Sequence, residues 1–466
     1  MFAIAAVPMM IGIGAAIDYS RLATFQTKLN HAADIAALAS ISKDAQPFTK
    51  TPTQAGVKKI FNQAAAAVTG ATITSFKATI TKGVSDLTVQ VNYTARVALV
   101  FGAFLGKPTS NVSGTATASV NSPPYVNFYL LLDNSPSMGL GATPADINSL
   151  ITLTANQPPT TFPNVKSGSI ARSSCAFACH QHTFNSSGQI TGEDTGDNYH
   201  IAKANGVTLR IDVLRTATQQ LTQTASSTES FSNQFAMAVY TFSDTFQTIA
   251  PLSTSMSTVS SNAAAIDLAY AYWDQRDAQT SYDTALSYMS STMPNAGNGT
   301  SLASPLEFLF LVTDGVEDQP VGSASGSGDP ADQPASYLPK NNQPNLANSL
   351  AGNVNSGRLI DLIKTDSTSM CATVKNRGIK IAVLYTPYMP VTNNGFYNTW
   401  IASSPMNNNN LVNPNDPTDP ASNGIGQALK GCASPGFYYQ VTPTTGISQA
   451  MQALFQKAVS SVMLTQ

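Results

Sequence analysis

The sequence predicts an α/β protein built on a doubly wound, mostly parallel sheet, preceded by a membrane helix and a small pilin-like α+β domain. Three observations predict it. The segments Tyr125–Leu132, Phe235–Phe242, Leu306–Val312, Ile379–Tyr385 and Phe437–Val441 are near-continuous apolar runs bounded by turn residues, as strands covered on both faces require. They alternate with stretches of helical period at Leu209–Thr222, Thr280–Met289, Leu359–Arg377 and Ile447–Val462, the order of a doubly wound sheet. The chain also opens on a charge-free run, Phe2–Ile17, whose helical pattern continues without Gly or Pro from Asp18 to Asp44.

As a helix, Phe2–Ile17 spans roughly 24 Å, somewhat less than a hydrocarbon core of about 30 Å. A cleaved signal peptide is the competing reading. No basic segment precedes the run, however, and the helical pattern does not stop after it, with apolar or small residues at Leu22, Phe25, Leu29, Ala32, Ala33, Ala36 and Ala39. Residues 1–44 are therefore expected to be a retained membrane helix and stalk. Residues 45–122 form the small domain. Thr51 as N-cap and Pro52 at the first helical position suit a helix to about Val68. Thr72–Ile80, Leu87–Val97 and Val112–Val120 then alternate apolar and polar residues, the two-residue period of half-buried strands. Asn121-Ser122-Pro123-Pro124 marks the boundary to the large domain, 125–466.

Composition narrows the function. The net charge is -2 and only 11% of residues are charged, against about 25% in ordinary proteins. Without a basic excess there is no electrostatic footprint for nucleic acid. The surface is instead rich in Ser, Thr, Asn and Gln, in keeping with an extracytoplasmic bacterial protein.

Within the large domain, the first strand ends in Asp133-Asn134-Ser135-Pro136-Ser137, and the third ends in Thr313-Asp314-Gly315. Strand ends of an open parallel sheet are where ligands bind, and a carboxylate with two hydroxyls at alternate positions suits a hard, oxygen-seeking cation. Taken alone, such residues are also ordinary turn formers. With Thr280 between them, the order Asp-x-Ser-x-Ser, Thr, Asp-Gly resembles the metal-ion-dependent adhesion site (MIDAS) of von Willebrand factor A domains. That resemblance implies a Mg²⁺ (or Mn²⁺/Ca²⁺) ion held by Asp133, Ser135 and Ser137 from one loop, Thr280 from a second and Asp314 from a third, directly or through water. An open position would accept an acidic side chain of a partner protein. Thr300, in Gly297-Asn298-Gly299-Thr300-Ser301, is the rival threonine, and its Gly-rich setting is closer to the family's loop. Thr300 lies too near the strand starting around Pro305 to leave room for a crossover helix, so Thr280 is preferred.

Three stretches exceed a minimal domain of this kind, at about 140–207, 317–356 and 386–430. Each leaves the carboxyl end of a strand and is expected to form a rim over the metal face.

The run Ala15-Ala16-Ile17-Asp18-Tyr19-Ser20-Arg21, followed by Leu29-Asn30-His31-Ala32-Ala33-Asp34-Ile35-Ala36-Ala37-Leu38-Ala39, resembles the N-terminal segment of TadG-type proteins of Flp (tight adherence) pilus assembly. The family joins one membrane helix to an external von Willebrand factor A domain. The resemblance implies a single-pass inner-membrane protein, its bulk in the periplasm or at the cell surface, working with pilus-assembly or surface components in adhesion. Segments resembling Cys371–Ile379 and Cys432–Tyr439 recur in that family, which implies a Cys371–Cys432 disulfide. For Cys175 and Cys179, a short-loop disulfide is expected ahead of a zinc site with His180, His182 or His200, because a second ligand pair is missing from that run.

Catalytic motifs are not found. The chain has no G-x-S-x-G, no H-E-x-x-H and no phosphate-cradling Gly-rich loop, and its four histidines lie outside the predicted scaffold of the large domain. A binding protein, not an enzyme, is the reading. The alternatives are a structural pilus component with a vestigial site and a zinc hydrolase built on the first insert.

Overall fold

A computed structural model describes residues 2–42, 51–83, 86–121, 123–161, 169–170, 172–186, 189–271, 280–320, 358–394, 397–401, 424–441 and 446–464. Most of the second and third inserts lies outside the described residues. The chain divides into two compact units, the first running to Pro123 and the second from Pro124 to Val462.

In the first unit, the helix Phe2–Ser40 packs through its second half on a three-stranded antiparallel sheet of Ala71–Lys82, Asp86–Ala98 and Thr109–Asn121. The contact is made by Leu29, Ala32, Ala33, Ala36 and Ala37 against Val89, Val91 and Ala116, so small side chains let the helix backbone sit close to the sheet. Gly114 serves the same approach: a Cβ there would meet Asn30 Oδ1 at 2.0 Å, the atom that accepts the Tyr93 hydroxyl at 2.7 Å. Asp18 fixes the helix further along. Its carboxylate accepts the backbone N–H groups of Val100, Phe101 and Gly102 at 2.8, 3.0 and 2.8 Å, which gives the aspartate of the N-terminal signature a structural role.

Two expectations change here. The short helix spans Gln54–Ala65 and its cap is Thr53, not Thr51, because the Thr53 hydroxyl reaches Gly56 N at 3.1 Å. The first helix forms as expected, but among the described residues no helix is long and apolar enough to cross a membrane.

The second unit is a six-stranded sheet in the order Phe246–Ser253, Phe235–Phe242, Val126–Asp133, Leu306–Thr313, Lys380–Tyr385, Tyr438–Gln440. All neighbours are parallel except the first strand, which is an antiparallel edge. Alternate residues of one strand serve opposite layers. Phe128, Leu130 and Leu132 join the core with Leu214, Leu221, Val259, Met451 and Phe455, whereas Tyr129 and Leu131 join Leu286, Met289, Val374 and Leu429. Each such side chain contributes about 1.5–3 kcal/mol on burial, which is why the strands read as unbroken apolar runs.

The edge strand Phe246–Ser253 was not foreseen; register shifts between Thr248 and Ala250 and between Ala250 and Ser253 break its alternation. The expected helix Leu359–Arg377 is helical only in its last part. Arg358–Asp361 is a strand paired with Glu317–Pro320, and the helix is Met370–Asn376, capped by the Ser369 hydroxyl on Ala372 N at 3.2 Å. Cys371 on that helix is bonded to Cys432, closing a loop whose length corresponds to about 4 kcal/mol of unfolded-state entropy. Cys175 and Cys179 are not joined by a disulfide, so the expected short-loop bond is not formed; the Cys175 thiol is pulled down to about 7, first by its hydrogen bond with Cys179.

The first insert carries more regular structure than its composition suggested. It contains a helix, Pro144–Leu153, whose Thr143 and Asp146 form a reciprocal capping box. A hairpin of His180–Phe184 and Ile190–Glu193 follows, then a helix, Asn198–Ala204.

Candidate metal centre

The parallel register brings the polar loops together. Asp133 pairs with Phe242, Leu132 lies beside Val312 and Thr313 beside Tyr385, so the loops after these strands leave from one edge of the sheet. The sharp turn Pro136–Gly139 then points the serines back at the strand ends.

Four of the expected residues are joined by hydrogen bonds. Asp133 Oδ1 accepts Ser135 N at 3.0 Å, and Ser135 Oγ lies 2.8 Å from Ser137 Oγ. Ser137 Oγ donates to Asp314 Oδ1 at 3.0 Å. Thr313, beside Asp314, donates its hydroxyl to Asp133 Oδ2 at 2.7 Å and so accepts from Tyr282 OH at 2.6 Å.

Thr280 is buried at the same edge. Its neighbour Ser281 donates its N–H to Ser243 O at 2.9 Å, just past the strand whose Phe242 O accepts Asn134 N at 3.0 Å. Thr300 lies at the opposite edge: the adjacent Gly299 O accepts Tyr125 N at 2.8 Å, before the strands begin.

The sequence reading missed Arg210. This side chain is fully buried at the start of the helix Arg210–Thr228. Its Nη1 donates to Asp314 Oδ2 at 3.3 Å and its Nη2 to Pro387 O at 2.8 Å, with the guanidinium 5.3 Å over the Tyr388 ring. An arginine opening an amphipathic helix reads as a solvent-facing residue, so no sequence signal marked it.

Burial sets the electrostatics. It raises the Asp133 carboxyl above its usual range, against the opposing pull of Ser135, Thr313 and Arg210. Asp314 is pushed up to about 7, first by burial and then by the neighbouring Asp133 charge, with Arg210 pulling it back. Two ionised carboxylates against one guanidinium leave an excess negative charge out of water, which is costly unless a cation compensates it. The donor set is all oxygen, as Mg²⁺, Mn²⁺ and Ca²⁺ require, and the residues present fit such an ion.

Residues 1–43 match the family described as Flp pilus-assembly TadE/G-like. The chain opens with a TadE/G-like segment. No curated protein matches the sequence. Among solved structures, the chain is similar to the PilB minor pilin from Streptococcus sanguinis (14% identity, 85% of this chain and 78% of that one, TM-score 0.34). It is also similar to the von Willebrand factor domain of the type V pili tip protein Mfa5 from Porphyromonas gingivalis (10% identity, 74% and 96%, TM-score 0.30). A third likeness is to proximal thread matrix protein 1 from the mussel byssus with a zinc-occupied MIDAS motif (9% identity, 72% and 48%, TM-score 0.33). At these scores the likenesses add nothing to the fold assignment. The sheet order and the helices between its strands make the second unit a doubly wound, mostly parallel α/β fold.

Proposed function

We propose that this chain is a membrane-anchored, extracytoplasmic component of Flp pilus assembly whose second unit binds a protein partner through a divalent cation and so supports adhesion. The observation that carries the reading is the hydrogen-bonded series Asp133, Ser135, Ser137, Asp314 at the carboxyl edge of a parallel sheet. Asp133, Ser135, Ser137, Thr280 and Asp314 would hold Mg²⁺, or Mn²⁺ or Ca²⁺. When bound, the ion supplies a Lewis-acidic coordination site for an acidic side chain of the partner. The chain's own residues prepare for this. Thr313 and Ser135 N orient Asp133, while Arg210 holds one oxygen of Asp314 and leaves the other to Ser137.

Membrane anchorage is supported by the N-terminal family match and by the exposed apolar side chains Met9, Met10, Ile11, Ile13 and Ile17 on the first half of the first helix. Anchorage by that half would leave the remainder in the periplasm or at the cell surface, with Cys371–Cys432 oxidised there. The domain division follows the same reading: helix and stalk to residue 44, a small domain to 122, and the metal-binding domain from 125.

One observation favours a second reading. Arg210 already pairs with Asp314, as it would in a structural pilus component whose site has lost its ion.

The two readings are separated by capture of partners from envelope extracts on the immobilised full chain, with Mg²⁺ or with chelator. Partners retained only with Mg²⁺, and lost on Asp133→Ala, support metal-dependent recognition. An identical set under both conditions refutes it in favour of the structural reading.

A further inference from the structure

The first insert holds a second constellation, made by the hairpin and the helix that follows it. Asp197 caps the helix Asn198–Ala204, and its side chain is fully buried. One of its oxygens, Oδ2, lies 3.0 Å from His180 Nδ1, and the other, Oδ1, lies 2.8 Å from His200 Nδ1. The same oxygens accept the N–H groups of Gln181 and His200 at 2.7 and 2.8 Å. On the far edge of both rings stands one atom, Glu193 Oε1, 3.2 Å from His180 Nε2 and 3.3 Å from His200 Nε2.

The geometry points to a zinc-type divalent-cation site formed by His180 Nε2, His200 Nε2 and Glu193, with Asp197 holding both imidazoles from behind. An ionised carboxylate only accepts, so each ring presents its Nδ1–H to Asp197 and its Nε2 to Glu193. A cation seated at that edge would take both Nε2 atoms and the Glu193 oxygen as ligands. Ligand atoms around a tetrahedral zinc, at bonds of about 2.0–2.1 Å, stand about 3.3 Å apart, close to the two Nε2–Oε1 separations. Carboxylates on the distal nitrogens of metal-binding histidines play this orienting role generally.

The rings are held rigidly. His180 is stacked between Tyr199 and Tyr270, at ring-centroid distances of 4.1 and 4.0 Å. Glu193, with 44% of its side chain exposed, opens the site to solvent and gives an ion a way in. Among the described residues, one ligand atom each of His180, Asp197 and His200 lie within 4.8 Å of one another, a group that includes neither cysteine; Glu193 joins it through its contacts with the two Nε2 atoms. A bound ion would clamp the hairpin to the helix and fix the insert.

The test uses the full chain carrying Asp133→Ala, so that the strand-end site does not contribute, stripped of metal and offered Zn²⁺ in excess Mg²⁺. Retention of one zinc per chain by native mass spectrometry is expected. Its X-ray absorption should show only nitrogen and oxygen at about 2.0–2.1 Å. Adding Glu193→Gln, a surface change that spares the fold, should weaken zinc binding by about 10–100-fold, and adding His200→Gln should abolish it. Absence of retained zinc, a sulfur shell near about 2.3 Å, or undiminished affinity in the Glu193→Gln variant would overturn the assignment.

Discussion

The strand-end cluster and the insert cluster gather similar charge by different means. Asp133 and Asp314 are placed by the register of neighbouring parallel strands, surrounded by hydroxyls, and partly compensated by Arg210. Asp197 and Glu193 are placed by a hairpin and a helix cap, and what lies between them is imidazole. The first suits a hard oxygen-bound ion and the second a nitrogen-seeking one. The difference teaches that a sheet edge fixes a site through its scaffold, whereas an insert must fix it with its own capping and stacking.

The comparison breaks most sharply at Arg210. At alkaline pH, where Asp314 is ionised, Arg210→Met should cost the metal-free protein about 3–5 kcal/mol, because it leaves that buried charge without its partner. Saturating Mg²⁺ should return part of that loss, which thermal melts with and without Mg²⁺ would register. An equal loss in both conditions would mean that no cation replaces the guanidinium.

A second effect comes from pH. Folding raises the Asp314 pKa from 3.8 to about 7, so the folded state holds this proton more tightly. Its contribution to the stability of the metal-free protein is present below about 4 and lost as pH rises through about 7. Metal binding has the opposite sign, since the carboxylate must be ionised. Mg²⁺ affinity should climb about tenfold per unit as pH rises toward 7 and flatten above it, as calorimetry across that range would reveal.

Smaller still is the choice of threonine. Thr280→Ala should weaken Mg²⁺ binding about tenfold, or ~1.4 kcal/mol. Thr300→Ala should leave it unchanged, because Thr300 sits at the other edge, with its hydroxyl on Asn298 Oδ1 at 2.7 Å. The reverse ranking would place the second loop of the site at the wrong threonine.

The smallest effect lies where a buried carboxyl has no such loops around it. Glu307 is pushed up to about 8 by burial, with Asn127 Nδ2 donating to it at 3.0 Å. Glu307→Gln should match wild type near pH 4, where the carboxyl is neutral folded and unfolded, and exceed it by more than about 1 kcal/mol by pH 8, with no further gain above that. Urea denaturation at the two pH values checks this.

What the sequence made legible follows the same division. The parallel strands were readable because both faces are covered, so Phe128 to Leu132 could be apolar without interruption. Asp133 and Asp314 were readable because such strands must end in polar loops. Arg210 was not, since its partner Asp314 is remote in sequence and only packing joins them. The insert cluster escaped for a related reason. The dense run Cys175 to His182 drew attention to itself, yet Glu193 and Asp197, which complete the arrangement, are aligned by a hairpin with no regular period. The misread helix at Leu359–Arg377 is a local case. Leu359, Leu362 and Ile363 imitate helical spacing, while the true start was marked by Ser369, a capping residue just before Met370.

The central claim is that the strand-end loops hold a divalent cation, and calorimetric titration of Mg²⁺ into the metal-stripped full chain tests it most directly. The account predicts one saturable site, weakened more than about 100-fold (~2.8 kcal/mol) by Asp133→Ala, with zinc retention in the insert unchanged by that substitution. Saturable Mg²⁺ binding that survives Asp133→Ala, or no binding by the wild-type chain at pH 7 or above, would contradict it.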